Sequence, residues 1–294
     1  MPQYLYYPQL PSLLQSEPKS KGIWPQTLEW YRDGVKVVLL AGGLGTRMRE
    51  ETEFKPKPMV EIGKIPLIVH LMRVFALQGH HEFVVCAGYK EQMIRAFFAK
   101  ETWRAWRESR IPGWGAEEWT ITTVDTGIET PTGGRVARVK DFVGDQTFLC
   151  TYGDGLAPVN LRHLLDKHRS GGVSATVTLA HPTSRFGVAE LRPDGKVSGF
   201  REKPVLEDLV SVGFFVFEKE VFDYLRPDSV LEEEPLSQLA FERELTGHVH
   251  HGFWQPLDTY RELLAMQELW KSGAPPWFDI SNGDEKDPSA NNGA

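Results

Sequence analysis

Cysteine is scarce in this chain, with only two in 294 residues. Cys86 and Cys150 both lie inside apolar runs, which predicts reduced core residues and no disulfide framework. No apolar run approaches the roughly 18 to 20 residues that span a bilayer, and the N-terminus shows no basic segment followed by a hydrophobic one. The sequence therefore predicts a cytoplasmic protein with no membrane contact.

An excess of basic residues is also missing. The chain has 33 Lys and Arg against 40 Asp and Glu, for a formal net charge of −7. Binding to a nucleic-acid polymer rests on a basic surface, so we expect no such partner. A small anionic ligand is compatible with this charge, because a local basic pocket is enough to bind it.

The two widespread phosphate-loop motifs are lacking as well. A dinucleotide fingerprint begun at Gly43 would need glycine at position 48 and finds Met48. A Walker pattern begun at Gly42 would need Gly-Lys near position 47 and finds Arg47. The first mismatch disfavours a Rossmann dehydrogenase. The Gly-rich loop is then either a phosphate cradle of another kind or an ordinary turn, with Arg47 and Lys57 as nearby positive charge.

Buried strands alternate with helical segments along most of the chain, which is typical of a parallel sheet with helices on its faces. We predict an α/β fold with a Rossmann-like, mixed but mainly parallel sheet. A hairpin signal at 186–200 predicts a small β-rich lid. The predicted strands are 35–40, 82–86, 119–125, 147–151, 175–180, 210–217 and 248–253. The predicted helices are 67–77, 92–99, 136–142, 161–168, 219–225, 236–244 and 259–271.

The chain divides into three parts by composition. Residues 35–280 are the predicted catalytic domain, preceded by an N-terminal extension at 1–34 and followed by a disordered tail at 281–294. The extension is rich in proline and aromatic residues. It fits an arm that is packed on the domain or partly disordered better than it fits a contact between subunits, although the sequence does not decide between them.

Two aspartates stand where a metal could bind. Asp154 lies between two glycines after a buried strand, and Asp258 follows a second apolar segment. Carboxylates at strand ends suit Mg²⁺, because this ion prefers hard oxygen ligands and shares them with phosphate and water. The alternatives are an Asx turn at Asp154 and a helix cap at Asp258.

The other charged and polar candidates have weaker support for a functional role. Lys203 beside Glu202 could clamp a second anion, or the two could form an ordinary solvated charge pair. No Cys or carboxylate stands at metal-ligand spacing from His250 and His251 in the sequence, so we interpret these histidines as structural. The sequence has no nucleophile elbow with a Ser-His-Asp arrangement, and covalent catalysis is therefore not supported.

Ten short segments, in order along residues 35–278, carry a family resemblance. The sequence is similar to the sugar-1-phosphate nucleotidyltransferases and, more narrowly, resembles the glucose-1-phosphate cytidylyltransferases. The segments are 42–47, 50–52, 55–63, 88–90, 124–127, 132–135, 151–155, 185–187, 202–204 and 234–236, and an eleventh, 252–256, follows them.

The resemblance implies an enzyme of the nucleotide-diphospho-sugar transferase fold that joins CTP to α-D-glucose 1-phosphate. Its products would be CDP-glucose and pyrophosphate, its cofactor Mg²⁺ bound by Asp154 and Asp258, and its assembly a homo-oligomer. Arg47 and Lys57 would contact the triphosphate, and Lys203 the sugar phosphate. The other residues implied to bind substrate are Ala41, Gly42, Gly43, Gly45, Thr46, Tyr89, Thr132, Gly133, Gly134, Arg135, Tyr152, Gly187, Glu202 and Ser211.

The sequence departs from the family in the segment before a Phe-Phe-Val strand. Relatives usually have Asn-Gly-Gly there, whereas this chain has Ser211, Val212 and Gly213. The change removes an amide from the sugar pocket, and we expect Val212 to narrow the site. The same chemistry on another sugar 1-phosphate or nucleotide therefore stays open. A non-catalytic nucleotide-sugar-binding homologue is disfavoured, because the charged residues implied in catalysis are all retained.

Overall fold

The computed structural model describes residues 35–282, so the N-terminal extension at 1–34 and residues 283–294 of the predicted tail lie outside it. The described residues contain thirteen strands: β1 (Val37–Ala41), β2 (Glu61–Ile62), β3 (Ile65–Pro66), β4 (Glu82–Ala87), β5 (Thr120–Asp125), β6 (Phe148–Tyr152), β7 (Gly155–Leu156), β8 (Ala175–Ala180), β9 (Val188–Leu191), β10 (Val197–Arg201), β11 (Val210–Phe217), β12 (Leu245–Val249) and β13 (Gln255–Pro256).

Nine α-helices lie between or after these strands: α1 (Arg49–Thr52), α2 (Leu67–Ala76), α3 (Glu91–Phe97), α4 (Lys100–Arg110), α5 (Thr132–Ala137), α6 (Lys140–Val143), α7 (Leu161–Gly171), α8 (Glu234–Phe241) and α9 (Tyr260–Lys271). The same part of the chain has six 3-10 helices: Thr46–Met48, Lys57–Met59, Ala116–Glu118, Lys219–Tyr224, Pro276–Phe278 and Ile280–Asn282.

Seven strands form the central sheet in the order β12-β8-β11-β6-β1-β4-β5. Strand β11 runs antiparallel to both of its neighbours, and the other six strands are parallel to one another. The prediction of a mixed, mainly parallel sheet flanked by helices is confirmed. The predicted hairpin is also present, as the two-stranded β9-β10 sheet.

Both faces of the sheet are covered at its centre, which explains why β1 is apolar at every position. Val37 and Leu39 of β1 belong to one buried cluster with residues of α2, including Phe75. The alternate residues Val38 and Leu40 belong to the cluster on the opposite face. Each strand thus supplies side chains to two cores, and no face of β1 is left for solvent.

The carboxyl ends of β1 and β6 lie side by side. Strand β1 pairs with β4 on one edge and with β6 on the other, so the chain reverses its direction of travel across the sheet at this point. Ligands of open α/β sheets bind in the crevice at such a reversal. The loops that begin at Gly42 and at Gly153 both leave the sheet there. This edge is therefore the candidate ligand-binding site of the fold.

The structure differs from several predicted elements. The helix predicted at 136–142 is divided between α5 and α6. The segment predicted as a helix at 219–225 is the 3-10 helix Lys219–Tyr224. The helix predicted at 236–244 ends at Phe241, followed by Arg243 with a φ of 64°. The next strand then begins at Leu245, three residues before the prediction. A left-handed residue that is not glycine ends the helix, so the sequence carries no stop signal there.

The two cysteines are buried in β4 and β6, on either side of β1, and carry no disulfide, as predicted. Burial raises the pKa of the Cys86 thiol to about 12. This thiol therefore stays protonated at neutral pH and behaves as a small core residue. Across residues 35–282, every helix is too short or too polar to traverse a bilayer.

Candidate active site

The loop after β1 owes two of its three glycines to protein neighbours. A Cβ at Gly42 would lie 1.9 Å from Arg135 Nη1. Gly45 has a φ of 63°, and a Cβ there would lie 2.9 Å from Thr52 Cγ2. Gly43 is exposed and has open space where a Cβ would be. The expectation that these glycines let a ligand approach the backbone therefore fits Gly43, whereas Gly42 makes room for a guanidinium.

Arg135 is buried beneath this loop, with 4% of its surface exposed. Its Nη2 donates to the carbonyl oxygens of Gly42 and Ile128, each at 3.0 Å. Its Nη1 donates to Gly127 O at 2.8 Å and to Thr126 Oγ1 at 2.7 Å. One cation thus joins the loops that follow β1 and β5. The structure places Arg135 among backbone carbonyls, and its hydrogen-bonding groups face the protein.

The glycines next to Arg135 are buried against the segment 227–231. A Cβ at Gly133 would lie 2.8 Å from Ser229 O, and one at Gly134 would lie 2.2 Å from Pro227 O. These positions therefore need glycine for close packing of α5. Tyr89 also supports the loop, since its hydroxyl donates to Thr52 O at 3.3 Å.

Glu232 bridges two of the predicted substrate residues. Its Oε2 accepts a hydrogen bond from Thr132 Oγ1 at 2.6 Å, and its Oε1 accepts one from the Tyr152 hydroxyl. Burial, together with the charge and hydrogen bond of Glu232, raises the pKa of Tyr152 far above its usual value, so the phenol stays protonated. Sequence reasoning missed Glu232, because it stands in a run of three glutamates that offers no signal for singling one out.

Four charged side chains meet at the carboxyl edge of β1 and β6. The Lys57 ammonium donates to Asp154 Oδ2 at 2.8 Å and to Asp258 Oδ1 at 2.7 Å. The Arg47 guanidinium donates to the other oxygen of Asp258, also at 2.8 Å. The side chain of Lys57 is 11% exposed and that of Arg47 is 75% exposed. The structure thus brings both predicted cations and both predicted metal ligands into one cluster.

A short antiparallel ladder holds the two aspartates together. Gly155 and Leu156 of β7 pair with Pro256 and Gln255 of β13. The ladder continues where the N–H of Leu257 donates to the carbonyl of Asp154 at 2.7 Å. Asp154 directly precedes β7, and Asp258 directly follows Leu257, the last residue bonded in this ladder. The pairing of the ladder therefore sets the position of both carboxylates.

Asp258 is not the cap of the helix that follows it. The cap of α9 is Thr259, whose Oγ1 accepts from the N–H of Glu262 at 3.3 Å. The Glu262 carboxylate in turn accepts from the N–H groups of Asp258 and Thr259, at 2.6 and 2.7 Å. This capping box fixes the backbone and leaves the carboxylate of Asp258 to the cations.

Two members of the cluster, Lys57 and Asp258, have shifted pKa values. Burial by itself would lower the pKa of Lys57, but the charges and hydrogen bonds of Asp154 and Asp258 outweigh it and raise that pKa. Burial would raise the pKa of Asp258, but the hydrogen bonds and charges of Lys57 and Arg47 outweigh it and lower that pKa. Lys57 and Asp258 therefore keep their charges, and the group as a whole can bind anions and cations.

Ala41 ends β1, and Thr46 begins the 3-10 helix after the loop. The other predicted residues belong to the lid and to β11. Lys203 Nζ lies 3.9 Å from Glu202 Oε1, and both side chains are more than half exposed, as in a solvated pair. A Cβ at Gly187 would lie 3.1 Å from Glu202 Oε2, so these three residues share one face of the lid. Ser211 is exposed at the start of β11, and Val212 is buried in the core. The expectation that Val212 narrows the site stays a prediction.

The Tyr152 ring packs directly against the backbone of Gly213. Gly213 has a φ of 84°, and a Cβ there would lie 2.1 Å from Tyr152 Cδ2. We expect Gly213→Ala to lower the free energy of unfolding by about 1 to 3 kcal/mol. The cost of a left-handed backbone at alanine adds to the cost of the clash between its Cβ and the Tyr152 ring. The control is Gly113→Ala, where φ is 79° and nothing lies within 4 Å. Equal unfolding midpoints for the two variants would argue against the contact with Tyr152.

Comparison with known proteins identifies the family. The model of the nucleotidyl transferase family matches residues 36–270. The chain belongs to the nucleotidyl transferase family. The glucose-1-phosphate cytidylyltransferase of Salmonella typhimurium is 41% identical over 254 residues, which cover 83% of this chain and 98% of that protein. The mannose-1-phosphate guanylyltransferase catalytic subunit beta of Dictyostelium discoideum is 26% identical over 260 residues, or 85% and 69% of the two chains.

Solved structures agree with this nucleotidyl transferase in fold. The UDP-glucose pyrophosphorylase of Acinetobacter baumannii superposes with a TM-score of 0.63 at 19% identity, covering 84% of this chain and 96% of that one. The family match extends from before β1 to α9. It therefore includes every predicted site residue of this nucleotidyl transferase, from Ala41 to Asp258.

Proposed function

We propose that this protein condenses CTP with α-D-glucose 1-phosphate to give CDP-glucose and pyrophosphate. The observation that carries the proposal is the cluster of Arg47, Lys57, Asp154 and Asp258 at the switch point of the sheet, in a chain 41% identical to a glucose-1-phosphate cytidylyltransferase. A non-catalytic homologue would have no need to keep two cations and two carboxylates in direct contact.

The reaction needs no nucleophile from the protein. A phosphate oxygen of glucose 1-phosphate attacks the α-phosphorus of CTP, a new P–O bond forms, and the bond to the departing pyrophosphate breaks. The enzyme has to hold two anions in line and offset the charge that builds up at the α-phosphorus. Arg47, which is largely exposed, and Lys57 would bind the triphosphate in this proposal.

Asp154 and Asp258 fit a divalent cation by their chemistry. Among residues 35–282, no cluster of three or more His, Cys, Asp or Glu residues suits a metal. Two carboxylates are nevertheless a suitable set for Mg²⁺, which takes its other ligands from water and substrate phosphates. When bound, Mg²⁺ supplies positive charge to the phosphates during transfer.

The lid and β11 would contact the sugar phosphate. Lys203 and Glu202 are exposed on the lid, with Gly187 beside them, and Ser211 is exposed where the family usually has asparagine. A serine reaches less far than asparagine and offers one hydroxyl in place of an amide. The position of Ser211 is therefore where we expect a difference in sugar selectivity from relatives.

The proposal also includes the oligomeric state and the cellular location of the enzyme. We propose a homo-oligomer, supported by exposed apolar side chains on the lid such as Phe186 and Phe200. Light scattering after size-exclusion chromatography would show a monomer if this is wrong. A cytoplasmic location is supported by the two buried, unpaired thiols and by the use of a nucleoside triphosphate. Fractionation of the native cells would test it.

The test of the activity is pyrophosphate release with each nucleoside triphosphate and a panel of sugar 1-phosphates. We expect release with CTP and glucose 1-phosphate, dependent on Mg²⁺, with the other pairings slower. Release with another sugar 1-phosphate and CTP would keep the reaction and change the substrate. No release with CTP and any sugar would refute the proposal.

A further inference from the structure

Lys57 contacts both predicted metal ligands at the same time. Its ammonium lies 2.8 Å from Asp154 Oδ2 and 2.7 Å from Asp258 Oδ1, and the side chain is 11% exposed. An ammonium placed in this way neutralises charge on both carboxylates and satisfies one oxygen of each. This is the position between two carboxylates that a divalent cation would also favour.

Arg47 occupies the remaining oxygen of Asp258. The guanidinium lies 2.8 Å from Oδ2, so both oxygens of this carboxylate accept hydrogen bonds from cationic side chains. A metal ion that binds Asp258 in the nucleotide-free protein must therefore compete with a side-chain cation. Competition with Lys57 is the stronger, because that ammonium contacts both aspartates and is shielded from water.

The backbone of Lys57 is held in place, so any movement must come from its side chain. Lys57 begins a 3-10 helix between Pro56 and Pro58, and its carbonyl accepts from the N–H of Val60 at 3.0 Å. The loop packs against the base of this side chain, since a Cβ at Gly45 would lie 3.2 Å from Lys57 Cβ. Four methylenes still allow the ammonium to turn from one anionic partner to another.

We propose that the Lys57 ammonium holds the place of the divalent cation between Asp154 and Asp258 until nucleotide phosphates draw it away. The nucleotide-free enzyme then binds a free metal ion weakly. When the triphosphate arrives, it offers the ammonium a new anionic partner, and the two carboxylates become available to the cation that accompanies the nucleotide. This inference rests on the proposed metal assignment, and it gives Lys57 a second task besides contacting phosphate.

The test is Mn²⁺ binding to the nucleotide-free full chain, measured by the paramagnetic resonance signal of the unbound ion. We expect Lys57→Met to bind Mn²⁺ more tightly than the wild type, with Kd lower by about tenfold or more, because a charge in contact with both carboxylates is removed. Arg47→Met is the matched control. It removes a cation that contacts Asp258 only, and we expect a change in Kd of less than about threefold, as for an exposed pair.

A second arm measures the effect of the nucleotide. Adding a non-hydrolysable CTP analogue should lower the Kd for Mn²⁺ in the wild type, and this coupling should shrink in Lys57→Met, because no ammonium remains to be displaced. Thermal melting checks that each variant is folded. If Lys57→Met does not fold, Lys57→Gln serves instead, since its amide can hydrogen-bond to the carboxylates without carrying charge.

Equal or weaker Mn²⁺ binding by the folded Lys57 variant would overturn the inference. A gain that persists when Asp154→Asn is added would overturn it as well, because the ion would then be bound elsewhere. A different experimental result would show that the proposed function is wrong. It would appear as absent pyrophosphate release with CTP, while the Mn²⁺ measurements on the same proteins would still report the competition.

Discussion

Replacing Asp154 with asparagine is expected to lower turnover of CTP and glucose 1-phosphate by about three orders of magnitude. The amide has nearly the same shape but carries no charge, so it is a poor ligand for Mg²⁺. We expect little change in the melting temperature, because the side chain is 40% exposed and Lys57 keeps its contact with Asp258. The measurement is pyrophosphate release over a range of Mg²⁺ concentrations.

Asp125→Asn is the matched control for this prediction. Asp125 also ends a parallel strand, β5, and its Oδ1 accepts from the N–H of Gly127 at 2.9 Å. Asparagine can make the same turn, so we expect nearly full activity from this variant. Full activity in Asp154→Asn would refute the assignment of Asp154 as a metal ligand.

Arg135→Met is expected to have the largest effect on stability. Loss of the guanidinium leaves the carbonyls of Gly127 and Ile128 without their charged donor and removes a hydrogen bond from Gly42 O. Unfolding by denaturant should show a free energy lower by about 2 to 4 kcal/mol, the range for buried groups that lose a charged partner. We also expect lower turnover, because the loop that carries Arg47 is no longer tied to the loop after β5.

Arg138→Met separates this effect from the loss of a positive charge. Arg138 stands one helical turn away and donates to a single carbonyl, Thr126 O, at 2.6 Å. We expect a cost of no more than about 1.5 kcal/mol, as for one hydrogen bond. If the Arg135 and Arg138 variants unfold at the same denaturant concentration, Arg135 is not the tie between the loops.

Elements with a strong local pattern were predictable. Strands β1, β4 and β6 are mostly apolar because both of their faces are buried. Helix α2 is mostly apolar because nearly all of its residues are buried. The hairpin turn at Asp194 and Gly195 has the residues that such turns need, and Gly195 has a φ of 82°. In each case the residues themselves prefer the structure that they adopt.

Elements that depend on distant partners were harder to predict. The sequence does not predict helix α4, because this helix is charged along most of its length and buries mainly Trp103. That ring packs against Trp106 and Trp119, which makes its burial a consequence of aromatic contacts across the fold. The predicted bounds of β12 also differ from the observed ones because of a distant partner. The position of this strand is set by pairing with β8, where Leu245 lies opposite Ala175.

The candidate site divides in the same way. Arg47, Lys57 and Asp154 were predicted from loops that follow strands, and the structure brings them together with Asp258. The role of Arg135 in joining the loops after β1 and β5 was not predictable. Its partners are mostly backbone carbonyls, and every residue type has one, so the sequence cannot single them out. Glu232 was missed because its partners, Thr132 and Tyr152, are distant along the chain.

The sequence by itself determined the reaction class, since its ordered motifs and charged loops resemble one family over the whole domain. Its local patterns also determined most strands and helices. Only the tertiary structure decided how the loop that opens at Gly42 is held, through Arg135, and how Asp154 meets Asp258, through the β7-β13 ladder. The reason is physical: local preferences act between near neighbours, whereas these contacts form only after the sheet has set the order of its strands.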